Sequence, residues 1–74
     1  MPHRVTDHDE RMMAAGWLPV PLVAERTGRD KSTVYRLITA GRLRSTLSRG
    51  VKYVSRESCV EYYGEVLARE CGLA

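Results

Sequence analysis

A chain of 74 residues with net charge +3 and 28% charged side chains has room for one small domain with a thin core, and little room for an enclosed active site. No stretch approaches the roughly 18 consecutive apolar residues of a membrane span, and no signal-peptide pattern is present, so a soluble, cytoplasmic protein is the expectation. Its two cysteines, Cys59 and Cys71, make no disulfide framework.

Residues 1–16 are polar and end in "RMMAAG". Asp7 followed by Glu10 has capping spacing for a short helix running to Ala15 and stopped by Gly16; disorder is the alternative for so polar an end. The stretch therefore reads as an N-terminal extension to a domain over residues 17–74.

In "WLPVPLVAERTG", Val20, Val23, Ala24 and Thr27 follow helical spacing and Gly28 stops the run. Pro21 belongs in a first turn, so the helix starts near it, while Trp17 and Leu18 ahead of it are expected on the core. After the turn "TGRD", Asp30 is placed to cap a second helix from Lys31 to about Ala40. That helix has two characters. Val34, Leu37 and Ile38 form an apolar stripe, whereas Ser32, Arg36 and Thr39 lie opposite, with Thr33 and Tyr35 on the flanks.

Past Gly41 the period changes. "RLRSTL" reads as a strand with Leu43 and Leu47 pointing one way and Arg42 and Arg44 the other. "SRG" is a turn and "VKYV" a return strand, which puts Arg49 and Lys52 at or near the tip of a hairpin. Ser55 caps a last helix, "RESCVEYYGEVLAREC", with Cys59, Tyr62 or Tyr63, Val66 and Leu67 at helical spacing. Gly64 interrupts it and Gly72 ends it. On one helix the cysteines would stand about 18 Å apart, beyond disulfide reach.

Charge is unevenly spread. Residues 26–56 carry nine bases against Asp30 alone, net +8, while residues 1–16 carry −1 and residues 57–74 carry −3. A basic middle between acidic flanks suits a polyanion-binding face. Two helices joined by a tight turn, the second with outward hydroxyls and cations, form a helix-turn-helix; the basic hairpin after it forms a wing. The expected fold is mostly α with a small β-hairpin, a winged helix-turn-helix.

"STVYRLITAGRL" and "YVSRESCVEYY", with the short basic hairpin between them, resemble the excisionase-type DNA-binding modules of the MerR-like winged helix-turn-helix group. The resemblance covers residues 17–63. It implies that Lys31, Ser32, Thr33, Tyr35 and Arg36 meet a major groove, and that Arg49, Gly50, Val51 and Lys52 meet backbone or minor groove. Three positions depart from the group: Pro19 where Ser or Thr is frequent, Arg26 where an apolar residue is usual, and Arg29 where a branched apolar residue is common. Arg26 is expected to snorkel or contact phosphate. The long dimerisation helix and effector domain of MerR-type regulators are not expected here.

The expected DNA-binding set is thus Arg29, Lys31, Ser32, Thr33, Tyr35, Arg36, Thr39, Arg49 and Lys52. The partner is double-stranded DNA, with self-association on DNA or as a homodimer. Recombination directionality is the role the resemblance implies, with an integrase as protein partner and the bacterial nucleoid as location. The alternative is a small phage-type transcription repressor binding operator DNA as a dimer. A protein-interaction module that has lost DNA binding is a third reading, which the +8 segment opposes. His3 and His8 sit in a polar end, Cys59 faces the expected core, and no Cys-x-x-Cys or nucleophile–base pair occurs. No catalysis, metal or cofactor is expected. Val66 and Leu67 fill the domain's own core or face a partner, in which case residues after Tyr63 are dispensable for folding.

Overall fold

The computed structural model describes residues 4–74, and His3 lies outside them. Helix α1 spans Asp7–Ala14. Its cap is Thr6, one residue before the expected Asp7. The Thr6 hydroxyl accepts from the Asp9 amide at 3.1 Å and the Asp9 carboxylate accepts from the Thr6 amide at 3.1 Å, a reciprocal capping box.

Strand β1 follows at Trp17–Pro19, and α2 occupies Val20–Thr27 with Pro21 in its first turn. Proline 19 ends the strand because its nitrogen has no proton for a further rung. Gly28, left-handed at φ 68°, closes α2, and the Arg29 amide reaches back to the Ala24 carbonyl at 2.9 Å. Helix α3 spans Lys31–Thr39. Asp30 stands at its N-cap position, but its side chain makes no capping hydrogen bond; only its carbonyl accepts, from Thr33 and Val34.

Strands β2 (Ser45–Ser48) and β3 (Val51–Ser55) form the expected hairpin. It belongs to a larger sheet, however: β1 pairs with the other edge of β3, giving three antiparallel strands in the order β1-β3-β2. The domain is therefore a small α/β unit rather than a helical one with a lone hairpin. A three-residue strand ending in proline is too short to show a period, so the sequence reads it as a lead-in to α2.

Register corrects another expectation. Leu43 lies ahead of β2, in the turn where Arg42 and Leu43 amides converge on the Leu37 carbonyl, and it is buried. Leu47 lies within β2, opposite Lys52, and is 66% exposed. A two-residue period holds only inside one strand, so Leu43 says nothing about which way Leu47 points.

The last helical stretch is broken. α4 runs Arg56–Tyr63, capped by the Ser55 hydroxyl, and α5 runs Glu65–Glu70. Gly64 between them, at φ 91° and ψ 151°, takes a conformation closed to side-chain-bearing residues, which a helix cannot pass through. The core gathers Leu18, Val20, Val23, Val34 and Val54 from the sheet and the helices α2 and α3, Cys59 from α4, and Ala68 and Leu73 from the C-terminal end. Val66 and Leu67, the apolar pair expected at the last helix's core spacing, are 68% and 45% exposed. The segment after Tyr63 thus contributes to the core through residues other than those the spacing selected. Both cysteines are free thiols. No helix among the described residues is long and apolar enough to cross a membrane.

Candidate nucleic-acid interface

The apolar stripe of α3 turns inward through fully buried Val34, with Leu37 and Ile38 half-buried beside it. At 100° per residue Ser32, Arg36 and Thr39 lie on the opposite side and point outward, all three exposed. With Tyr35 and Ala40 they line a shallow depression of about 510 Å³. The Lys52 ammonium stands 5.7 Å from the centre of the Tyr35 ring, within cation–π range. That contact ties the beginning of β3 to the exposed flank of α3. Leu47, opposite Lys52 in the sheet, faces the same side, not the side of Leu43 that the two-residue period predicts.

The nine candidates do not form one patch. Ser32, Tyr35, Arg36 and Thr39 share the outer face of α3, Lys52 adjoins it, and exposed Lys31 begins the helix. Arg49 is exposed in the hairpin turn. Arg29 and half-buried Thr33 instead line a separate groove of about 490 Å³, shared with Leu37, Tyr62, Tyr63 and Leu67.

Not every base in the basic segment is free to meet an anion. The Arg26 guanidinium donates to the Gly72 carbonyl at 3.3 Å, which ties α2 to the C-terminal turn. Arg44 lies 3.5 Å from Glu61 and 4.0 Å from Glu57. Half-buried Arg56 donates to the Met13 carbonyl at 2.7 Å. By contrast Arg29, Lys31, Arg36, Arg42 and Arg49 make no ion pair among the described residues. The charge of residues 26–56 therefore divides into bases engaged by a carbonyl or carboxylate elsewhere in the chain and bases that make no ion pair among the described residues.

Arg49 occupies an unusual backbone position. It and Gly50 form the two-residue connection between Ser48 and Val51, with φ 52° and 75°. Both angles positive is the geometry that suits a twisted hairpin and that asparagine or glycine adopts with least strain. Arginine there carries a β-carbon penalty.

Behind the hairpin, on the face away from α3, the Tyr53 hydroxyl donates to the Asp9 carboxylate at 2.6 Å. Burial, and then the hydrogen bond and charge of Asp9, push the Tyr53 phenol up to about 12, against an opposing pull from Arg49. His8 meets the Tyr53 ring edge-on with 5.9 Å between centroids, and its Nε2 shares a hydrogen bond with the Ser48 hydroxyl at 2.9 Å. His8, expected in a polar end without a partner, and Asp9, which helical and strand periods do not single out, both contact the hairpin. The Thr6–Asp9 spacing was the available signal, because it is a capping box in its own right.

Cys59 is buried in the core, where burial pushes its thiol up to about 11 despite nearby Arg56, so it is a poor nucleophile. No group of three or more His, Cys, Asp or Glu among the described residues could hold a metal ion. Chemically, the outer face of α3 and the hairpin offer hydroxyl and guanidinium donors, an ammonium and an exposed aromatic ring. No protein-family model, curated protein or solved structure matches the chain.

Proposed function

We propose that this protein is a sequence-specific double-stranded-DNA-binding protein built as a winged helix-turn-helix. In this reading α2 and α3 are the helix pair, α3 enters the major groove, and the β2–β3 hairpin is the wing. One observation carries it: α3 turns Ser32, Arg36 and Thr39 outward beside a Tyr35–Lys52 contact, with the nearby cations making no ion pair among the described residues. Arg36 is suited to a bidentate contact with a guanine edge, and the hydroxyls of Ser32 and Thr39 to neighbouring bases or phosphates. Lys31 in the first turn would approach phosphate with the positive end of the helix dipole. Arg49 and Lys52 would follow the sugar-phosphate backbone.

The role within that class follows from the resemblance of "STVYRLITAGRL" and "YVSRESCVEYY" to excisionase-type modules. It is that of a recombination directionality factor, several copies of which bend DNA and help an integrase assemble for excision. A repressor that binds operator DNA as a dimer is the second reading, and exposed Val66 and Leu67 favour it because they offer an apolar contact for a second copy.

Titration against random-sequence duplexes at several salt concentrations tests the class. Non-specific binding of roughly 10⁻⁴–10⁻⁶ M at physiological salt, weakening steeply as salt rises, is expected. Absence of binding even at low salt would sink the proposal. Selection from a random duplex pool, followed by a bending assay on the selected site, then separates an architectural protein from one that leaves DNA straight.

A further inference from the structure

Strand β1 supports only part of the hairpin. Its partners on β3 are Ser55, Val54 and Tyr53, so the sheet is three strands wide there and two strands wide beyond. The outer rungs, Leu47 with Lys52 and Ser48 with Val51, have no third strand, and an isolated two-stranded ribbon is marginally stable in water. The turn they carry is Arg49–Gly50, whose first residue is held at φ 52° against its own preference. Something other than the sheet must hold that tip.

Helix α1 is packed where the third strand stops. Asp9, 3% exposed, uses one carboxylate oxygen in the capping box of its own helix and the other to accept from Tyr53, the last β3 residue that β1 covers. The residue before Asp9, His8, reaches past Tyr53 to Ser48 on the outermost rung, directly before Arg49. The two contacts differ in kind. Asp9–Tyr53 is buried and holds the fold, whereas His8–Ser48 is peripheral and touches the core only through a ring edge.

We propose that α1 is a positioning element of the DNA-binding surface: anchored by Asp9, it uses His8 to fix Ser48 and so presents Arg49 to a DNA phosphate. This rests on the DNA-binding reading above. Helix α1 then belongs to the functional domain, with His8 acting through Arg49 rather than touching DNA itself.

The test is a cycle of His8→Ala, Ser48→Ala and Arg49→Ala, singly and in pairs, titrated against a random-sequence duplex across salt concentrations. Arg49→Ala should lower the slope of log affinity against log salt by about 0.9 unit. His8→Ala and Ser48→Ala should each reproduce much of that loss, add nothing to one another, and add nothing in an Arg49→Ala background. His8→Gln, whose amide can still reach the Ser48 hydroxyl, should restore binding. Melting temperatures should stay within about 3 °C of wild type, as for other peripheral substitutions. A His8→Ala protein that binds like wild type overturns the proposal, as does a loss that persists undiminished without Arg49. A wild-type protein that leaves the duplex unbound overturns the DNA-binding reading as well, so the two failures are distinct.

Discussion

Helix α3 and the pair α4–α5 are both short, both amphipathic and both charged, yet they use charge in opposite ways. On α3 and the hairpin, Lys31, Arg36 and Arg49 are exposed and make no ion pair among the described residues, whereas on α4–α5 three of the four acids are engaged: Glu57 and Glu61 with Arg44, Glu65 with Arg69. The apolar exposure is reversed as well. α5 leaves Val66 and Leu67 in water, while the aliphatic residues of α3 all turn inward to some degree. Surface ion pairs add little stability, so neither arrangement is explained by folding. A cationic face without ion pairs is suited to a polyanion, and a face of mostly paired charges with exposed aliphatics to a protein.

The sharpest way to break this contrast is to ask whether α5 is peripheral at all. Leu73 is fully buried, and its amide closes the end of α5 by donating to the Ala68 carbonyl at 2.7 Å. Leu73→Ala should destabilise the fold by about 2–5 kcal/mol, the usual range for a buried leucine, measured by urea denaturation. Truncation after Tyr63 should remove Ala68 and Leu73 together and abolish cooperative melting. A truncated chain that still melts cooperatively would make α5 an appendage and α3 the only helix face tied to the core.

On the α3 side, Arg36→Ala should lose about 1–3 kcal/mol of affinity for a selected duplex and much less for a scrambled one. Equal losses on both would move Arg36 from a base edge to a phosphate. Loss on neither would remove it from the interface and leave the unpaired face without its central contact.

The distinction between paired and unpaired bases can be tested directly with two arginines that flank β2. Arg49→Ala should lower the salt slope by about 0.9 unit, whereas Arg44→Ala, whose guanidinium is engaged by Glu57 and Glu61, should change it by a few tenths at most. Equal slopes for both variants would show that the surface pairs on α4 do not withhold a base from DNA.

Much of this contrast was legible in the sequence, and the parts that were not share a cause. Helix α3, the Gly28 and Ser55 boundaries and the hairpin turn follow from local chemistry, namely period, capping and turn residues. Leu47, β1, Asp9 and the fate of Val66 depend on what lies across the fold. Tyr53 and Asp9 are far apart in the chain, so no window contains the hydrogen bond that joins them. Arg26, Arg44 and Arg56 counted toward a basic face by composition, and only the tertiary structure shows each turned onto a carbonyl or a carboxylate. The break at Gly64 rotates α5 relative to α4, so a helical period continued from Cys59 picks Val66 and Leu67 for the core when Ala68 and Leu73 occupy it.

The smallest effect on stability should come from the two residues that most distinguish α5. Val66→Ser with Leu67→Ser, at 68% and 45% exposed positions, should shift unfolding free energy by roughly 0.5 kcal/mol or less, since neither site is in the core. Any loss of association then reports on surface rather than on fold. Sedimentation of the free protein, and titration of DNA carrying one or several sites, read that association. A free dimer that the double substitution dissociates supports the repressor reading, because an operator-bound dimer needs a self-complementary patch. A monomer in which cooperative filling of adjacent sites is lost, with single-site affinity unchanged, supports the directionality factor, in which neighbour contacts supply the affinity each copy lacks. If association is unchanged in both measurements, Val66 and Leu67 are ordinary exposed aliphatics, and the contrast between the two regions reduces to the unpaired cations of α3 and the hairpin.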